Sequence, residues 1–514
     1  GAVTMPEMHK SEILVIGAGI AGLSAAIAAD RKSAEVTVIT KASRPASAST
    51  WWAQGGIAVS RDDPDQFKRD IMTASDGTAD RDAVDTLVSN ANDTVDDILV
   101  DTVGVEFDTH GAGFDYGQEA AHEEPRILHI DAATGKHIHL PMLDYVADHT
   151  DIEIIERTAA LELLRHEGQV YGAMLERDGE ITPMYAGSTI LATGGIGALY
   201  SYSTNPDGAT GDGIAMAALA GADVTDMEYV QFHPTVYVGD KEESETEDDS
   251  FLLSEAIRGE GAVLRNNDGE RFMPRYHDDA DLAPRDIVAR AVKTEREATG
   301  KVVLDVSPLE FEAEFPALAE RCNDAGVSLP HIPVAPAEHF LCGGIDVDSH
   351  GQSSLHRLYA VGECARTGVH GANRLASTSL LEGLVWGFRA GQDATGNEPD
   401  HIEPPELLDR DPELPDNFAT EKFHRLRRVM DTRVGIQRTT KELARAQSVL
   451  RRLKGEVDAY IRTRTSRSLY ELRSAAVVAL LITRAAAENK QSVGCHYLND
   501  IDDEPEVSAS GNAP

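Results

Sequence analysis

Residues 12–29, EILVIGAGIAGLSAAIAA, constrain the fold more than any other stretch of this 514-residue chain. Ile13, Leu14, Val15 and Ile16 form an apolar, partly β-branched run, as in a parallel strand covered on both faces. Gly17, Gly19 and Gly22 then fall at the G-x-G-x-x-G spacing. The first glycine permits a sharp turn, the second lets backbone approach a pyrophosphate, and the third seats the next helix close to the sheet. That helix is rich in small residues, Ala21, Ala25, Ala26 and Ala28, which suits close packing. Its N-terminus offers free N–H groups and the positive end of a dipole to two phosphates. A second strand follows at residues 35–40 and leads into Lys41. Nicotinamide-dinucleotide folds place an acid there to hold ribose hydroxyls. Thr40 and Lys41 do not fit that role, so Lys41 is expected to meet phosphate or adenosine instead.

Further stretches carry candidate chemistry. Residues 47–58, SASTWWAQGGIA, set two tryptophans before a glycine pair. Gly55 and Gly56 allow a flat ligand close to the backbone, and Ser49, Thr50 and Gln54 can bond its polar edge; a turn capped by buried aromatics is the alternative. Residues 79–101 read as one or two core helices. Residues 111–139 hold Glu119, His122, Glu123, Glu124, Arg126, His129, His137 and His139. A metal cluster is conceivable there, because His137 and His139 would share one strand face, but a solvated polar loop and strand is the reading preferred, with no metal. Short strands are expected at 152–156, 161–164, 170–176 and 181–185, and a buried one at 188–193. A small-residue helix runs from Asp212 to Ala220. After Val224 the composition gains charge and proline, which marks an inserted domain up to about His339. A helix is expected at 379–390, and helices from Pro404 onward, with Leu426, Val429, Val434, Leu443 and Val449 in one set and Leu469, Leu472, Val477 and Leu481 in another.

The formal charge is -40, from 87 acidic and 47 basic residues. That excludes nucleic acid and an anionic membrane surface as partners. The acid is spread over the whole chain, as on halophilic-type surfaces kept soluble in high salt. The run at 241–250, KEESETEDDS, is expected to be an exposed loop, and residues 504–514 a disordered tail. Cys322, Cys342, Cys364 and Cys495 are far apart in sequence, which supports no disulfide framework, zinc site or iron–sulfur site and fits a reducing cytoplasm. No apolar run reaches the ~18–20 residues of a membrane span, and residues 1–10 lack a signal-peptide core.

Taken together, the glycine turn, WAQGGIA (52–58), LATGG (191–195), TNPDGATGDGIAMA (204–217), QFHPT (231–235), SEAIRGEGA (254–262), APRDIVARA (283–291), EHFLCGG (338–344), LYAVGE (358–363) and HGANRLASTSLLEGLVWG (370–387) resemble the succinate dehydrogenase/fumarate reductase flavoprotein family. The resemblance implies an α/β fold: a Rossmann-like FAD-binding domain (1–226 and 341–403), an inserted α+β capping domain (227–340) and a C-terminal helical bundle (404–514). FAD would meet Gly17, Ala18, Gly19, Ile20, Ala21 and Gly22 at its pyrophosphate, with Lys41 nearby. Ser49, Thr50, Trp51, Trp52, Ala53, Gln54, Gly55 and Gly56 would line its ring and linker, and Asp212, Glu363, Ser379 and Leu380 would complete the site. Members with covalent FAD carry histidine where this chain has Ser49, so FAD is expected to be non-covalent.

The implied substrate is a C4 dicarboxylate. Arg374 would grip one carboxylate with a bidentate fork; His233, His339 and Ser254 would bond carboxylate oxygens. Arg285 matches the family's proton-transfer arginine, with electrostatic positioning as the alternative. Glu119 matches a glutamate that lies near the substrate amine in the amino-acid-oxidising branch, within a motif reading E-G-G-H-S-H-R-R. Here the stretch reads Glu119-Ala120-Ala121-His122-Glu123-Glu124-Pro125-Arg126. The expected activity is oxidation of L-aspartate to iminoaspartate with oxygen or fumarate as acceptor, feeding quinolinate synthase and NAD synthesis; a soluble fumarate reductase is the alternative.

Overall fold

A computed structural model describes residues 10–131, 133–239 and 250–500. Residues 241–249 of the loop expected at 241–250, and the expected tail at 504–514, lie outside them. The first strand, Lys10–Ile16, runs parallel to Val36–Ile39 on one side and to Glu180–Leu191 on the other. Glu153–Ile155 and Leu358–Ala360 extend this parallel layer, while Gln169–Arg177 and Thr158–His166 join it antiparallel. Ile13, Leu14 and Val15 are fully buried, as strands covered on both faces must be. The helices Ile20–Arg31 and Ser379–Asp393 pack against each other through small residues. A Cβ on Gly387 would stand 2.4 Å from the Ala21 carbonyl oxygen, and one on Gly391 2.1 Å from that of Ala25.

Two expected strands are one. Glu180–Leu191 is continuous through Gly187, where a side chain would collide with the Asn397 carbonyl oxygen at 1.9 Å. Its first half pairs antiparallel and its second half parallel, so one strand joins the hairpins to the glycine-turn layer. His137 and His139 sit on a helix, Thr134–His149, not on a strand. Two residues apart on a helix point to different sides: His137 is exposed, while His139 is buried and 2.8 Å from the Ala18 carbonyl oxygen through Nε2. Helix Arg81–Thr94 continues as a π-helical stretch, Val95–Val103, and ends at left-handed Gly104.

A five-stranded sheet, ordered Phe251–Leu252, Val230–Tyr237, His331–Leu341, Val302–Asp305 and Val263–Asn266, has its own core of Leu253, Ile257, Leu264, Phe272, Val288 and Val292. Helix Arg285–Thr299 packs on it. Helices Phe418–Arg433, Thr440–Ile461 and Arg467–Glu488 follow. Residues 404–417, rich in proline, are irregular up to the helix N-cap rather than helical. Leu426, Met430, Leu443, Leu450 and Leu472 share one core with the glycine-turn sheet.

Candidate active site

A cavity of about 2250 Å³ runs from the glycine turn, past the loop at 49–56, to the five-stranded sheet. Every cofactor and substrate residue expected from sequence lies in its wall except Trp51, which turns aside toward Lys136, 5.4 Å from its ring. Trp52 does line the cavity. Gly17 has φ +120°, and a Cβ there would stand 1.9 Å from the Ala192 carbonyl oxygen; this turn admits only glycine. Thr50 Oγ1 accepts the Ile20 N–H at 3.1 Å, so that amide of the expected pyrophosphate donors is already engaged. The first turn of helix Ser379–Asp393 also faces the cavity through Ser379 and Leu380. Glu363 accepts the Leu341 N–H at 3.1 Å, and its carboxyl is held far above the usual carboxylate range by burial and then by Glu338. Lys41 lies in the wall but spends its ammonium on Asp212 and Glu471. The length of the cavity, its glycine cradle and the two helix N-termini fit an extended dinucleotide such as FAD.

At the other end three guanidinium groups converge. Arg285 donates to Glu255 Oε1 through Nε at 2.5 Å and to Gln231 Oε1 through Nη1 at 3.2 Å. Arg258 stands 3.4 Å from the same Glu255 oxygen and donates to the Asp281 carbonyl at 2.7 Å. Burial raises the Glu255 pKa, but Arg285 and Arg258 outweigh it and hold it below the ordinary value. Glu255, Arg258 and Gln231 were not singled out by sequence reasoning, although they sit inside SEAIRGEGA and QFHPT; only the folded chain shows that they contact Arg285. Gln231, fully buried, also donates to Asn373 Oδ1 and to the Arg374 carbonyl oxygen, both at 2.9 Å.

Arg374 differs from its neighbours. It is 3% exposed, lies over the Phe340 ring, and among the described residues forms no ion pair within 4.0 Å. Its Nε is buried without a partner. Burial first, and then Arg285, push its pKa down to about 10. Glu363 and Glu255 act on it only from beyond ion-pair distance, and a buried cation without a close partner is costly, so this end of the cavity suits an anion. The rings of His233 and His339 stand edge to face at 5.2 Å beside it. Ser254 caps the helix Glu255–Gly259 by accepting the Ala256 N–H at 3.2 Å.

Glu119 is buried and reaches the same chamber, where Ser377 donates to it at 2.9 Å. Its loop is pinned by the buried Arg126, which bonds Asp70 at 2.6 Å and His122 Nδ1 at 2.7 Å. His122 Nε2 reaches the Ala376 carbonyl oxygen at 2.8 Å, and burial pushes the ring's pKa down to about 4. Ala121 has φ +68°, left-handed, where the family motif has glycine. Ala121→Gly is therefore expected to raise stability by roughly 0.5–1 kcal/mol. Ala120→Gly, at a position without positive φ, is expected to lower it. Denaturant titrations of both variants at fixed salt check the opposite signs. Among the described residues, no group of three or more His, Cys, Asp or Glu side chains could hold a metal ion.

This chain belongs to the FAD-dependent flavoproteins of the succinate dehydrogenase/fumarate reductase family: the FAD binding domain family matches residues 12–380, and the fumarate reductase flavoprotein C-term family matches 423–507. The E. coli quinol fumarate reductase FrdA superposes with a TM-score of 0.85 at 26% identity, over 95% of this chain and 91% of that one. Within the family the chain is similar to L-aspartate oxidases. That of Halobacterium salinarum is 63% identical over 506 residues, covering 96% of this chain and 98% of the relative. That of Yersinia pestis is 40% identical, with 97% of each covered. The cofactor is FAD; Ser49, in the cavity wall, has no imidazole with which to carry a covalent flavin link. Among the described residues no helix is long and apolar enough to cross a membrane.

Proposed function

We propose that this chain oxidises L-aspartate to iminoaspartate, with oxygen (yielding hydrogen peroxide) or fumarate as electron acceptor. The unpaired, buried Arg374 guanidinium facing a chamber beside the FAD cavity carries the reading. The names of the relatives support the choice of substrate. In this reading the imine passes to quinolinate synthase in the first steps of NAD synthesis, inside a cytoplasm reducing enough to keep all four cysteines free.

When bound, FAD supplies the acceptor for the hydrogen and electron pair leaving the substrate Cα. The chain's own residues bind and orient. Arg374 takes one carboxylate with two parallel N–H donors. His233 is neutral, because burial first and Arg285 next push its pKa far down. Its Nδ1 accepts the Thr235 N–H at 3.2 Å, so the Nε2 proton is left for a carboxylate oxygen. Burial, followed by Arg285 and Arg374, keeps His339 neutral as well, and Thr204 Oγ1 steadies its Nδ1 at 2.6 Å. Ser254 accepts from backbone and keeps its own proton to donate. Arg285, backed by Glu255 and Arg258, faces the reacting carbons with a fixed positive charge.

Glu119 selects the amine. Burial, then Glu255, raises its pKa; Arg285 and Ser377 work against that. Ionised, it attracts the substrate ammonium and can take a proton as the amine becomes neutral. The acid limb of kcat/KM for L-aspartate is therefore expected above the ordinary carboxylate range of about 4.5. Activity rises with pH as Glu119 ionises. Glu119→Gln is expected to abolish that limb and cost about 30-fold or more in kcat/KM on L-aspartate, while leaving succinate oxidation within about threefold. Peroxide release with L-aspartate and with succinate, measured from pH 5 to 9, tests both. A wild type that makes no peroxide from L-aspartate overturns the function; a variant that loses both substrates equally overturns the role of Glu119.

A further inference from the structure

The second strand, Val36–Ile39, leads into Thr40 and Lys41, where a dinucleotide fold commonly places a carboxylate for the adenosine ribose. The structure brings carboxylates to that point from elsewhere. Lys41 Nζ lies 2.8 Å from Asp212 Oδ2, 3.1 Å from Glu471 Oε2 and 2.9 Å from the Gly208 carbonyl oxygen. Asp212 belongs to the helix Asp212–Ala220, and its other oxygen accepts from Thr210 Oγ1 at 2.6 Å. Glu471 belongs to Arg467–Glu488, the last helix of the described chain. All three side chains lie in the wall of the FAD cavity. Burial disfavours the Lys41 charge, but Asp212 and Glu471 together outweigh it. Burial raises the Glu471 pKa, with Lys41 opposing it, and Arg467 is matched by Glu176 at 2.7 Å. With both carboxylates ionised, one ammonium between them leaves one negative charge in excess, which suits hydroxyl donors.

We propose that Glu471 is a positioning residue for the adenosine half of FAD: it holds Lys41 against Asp212, and the clasp supplies the acceptor that the end of the second strand lacks. The C-terminal helices are then part of the cofactor site, not only a scaffold beside it. Without the Glu471 charge, Lys41 neutralises Asp212, and a ribose hydroxyl loses a charge-assisted partner.

The inference rests on FAD filling this cavity, and FAD binding by wild-type apoprotein tests that separately. FAD is removed from the holoenzyme, and the apoprotein is titrated with FAD and with FMN, which lacks the adenosine half. Quenching of flavin fluorescence reports binding. Glu471→Gln is expected to weaken FAD about tenfold and leave FMN unchanged, with an apoprotein melting temperature near that of wild type. Glu471→Asp, which keeps the charge, is expected to stay within about threefold of wild type for FAD. Unchanged FAD binding in the Gln variant overturns the proposal. Equal weakening of FAD and FMN does so too, since it reports a general structural role. An Asp variant as weak as Gln overturns it as well.

Discussion

Arg374→Met is expected to abolish turnover of L-aspartate while making the substrate-free protein more stable. The two effects have one cause. Arg374 is a buried cation that, among the described residues, forms no ion pair within 4.0 Å, and its pKa falls to about 10 from 12.5. A group whose folded pKa lies below its unfolded value destabilises the fold at every pH where the unfolded chain holds the proton more tightly. At neutral pH that cost is present in full, on the order of 3 kcal/mol. Methionine fills much of the same volume without charge. Denaturation of the substrate-free Met variant at pH 7 should show part of that gain. Bound substrate reverses the balance, because its carboxylate is the missing partner. Loss of a buried charge pair costs about 4–5 kcal/mol, so kcat/KM should fall by roughly a thousandfold or more. Arg374→Lys keeps the charge but not the planar fork and should fall between. A Met variant that is less stable than wild type, or that keeps a tenth of its activity, removes the basis for the anion site.

Arg285→Lys is expected to act on rate more than on binding. Arg285 engages Glu255 and Gln231 at once, through Nε and Nη1. A lysine ammonium keeps the charge but cannot hold Glu255 and Gln231 together through a planar fork, so the charge is no longer fixed in place. We expect kcat to fall about a thousandfold, with the spectral dissociation constant for L-aspartate changed by less than about threefold. Anaerobic single-turnover bleaching of the yellow colour isolates the step. A Lys variant that retains more than a tenth of wild-type kcat overturns the reading that the anchored fork, and not its charge alone, sets the rate.

The glycine turn, its strand and its helix were legible because each rests on local rules: an apolar run, glycine spacing, small residues on one face. The strand through Gly187 was not. Local chemistry reads that glycine as a break, whereas its bare backbone is needed to admit the carbonyl of Asn397, far along the chain. His139 was misread for a related reason: its short polar segment carries no clear period, and the helix is set by contacts such as that between Gly135 and the Thr50 carbonyl oxygen, 1.9 Å from where a Cβ would stand. The candidate substrate-end residues stood out through motif resemblance, since Arg285, Arg374 and His233 lie within long matching segments. Residues whose role depends on a distant partner stayed hidden, among them Glu255 behind Arg285 and Glu471 behind Lys41. Trp51 and Trp52 are adjacent in sequence and alike in chemistry, so only the backbone turn decides which one faces the cavity.

One buried amide sets the scale of the chamber. Gln231 receives Arg285 on its oxygen and, with its nitrogen, holds the Asn373 side-chain oxygen and the Arg374 carbonyl. It thereby acts as a ruler between two cations carried by distant parts of the chain. In the proposed reading a four-carbon diacid bridges the two cations, and the amide that tethers both takes part in the choice between aspartate and glutamate.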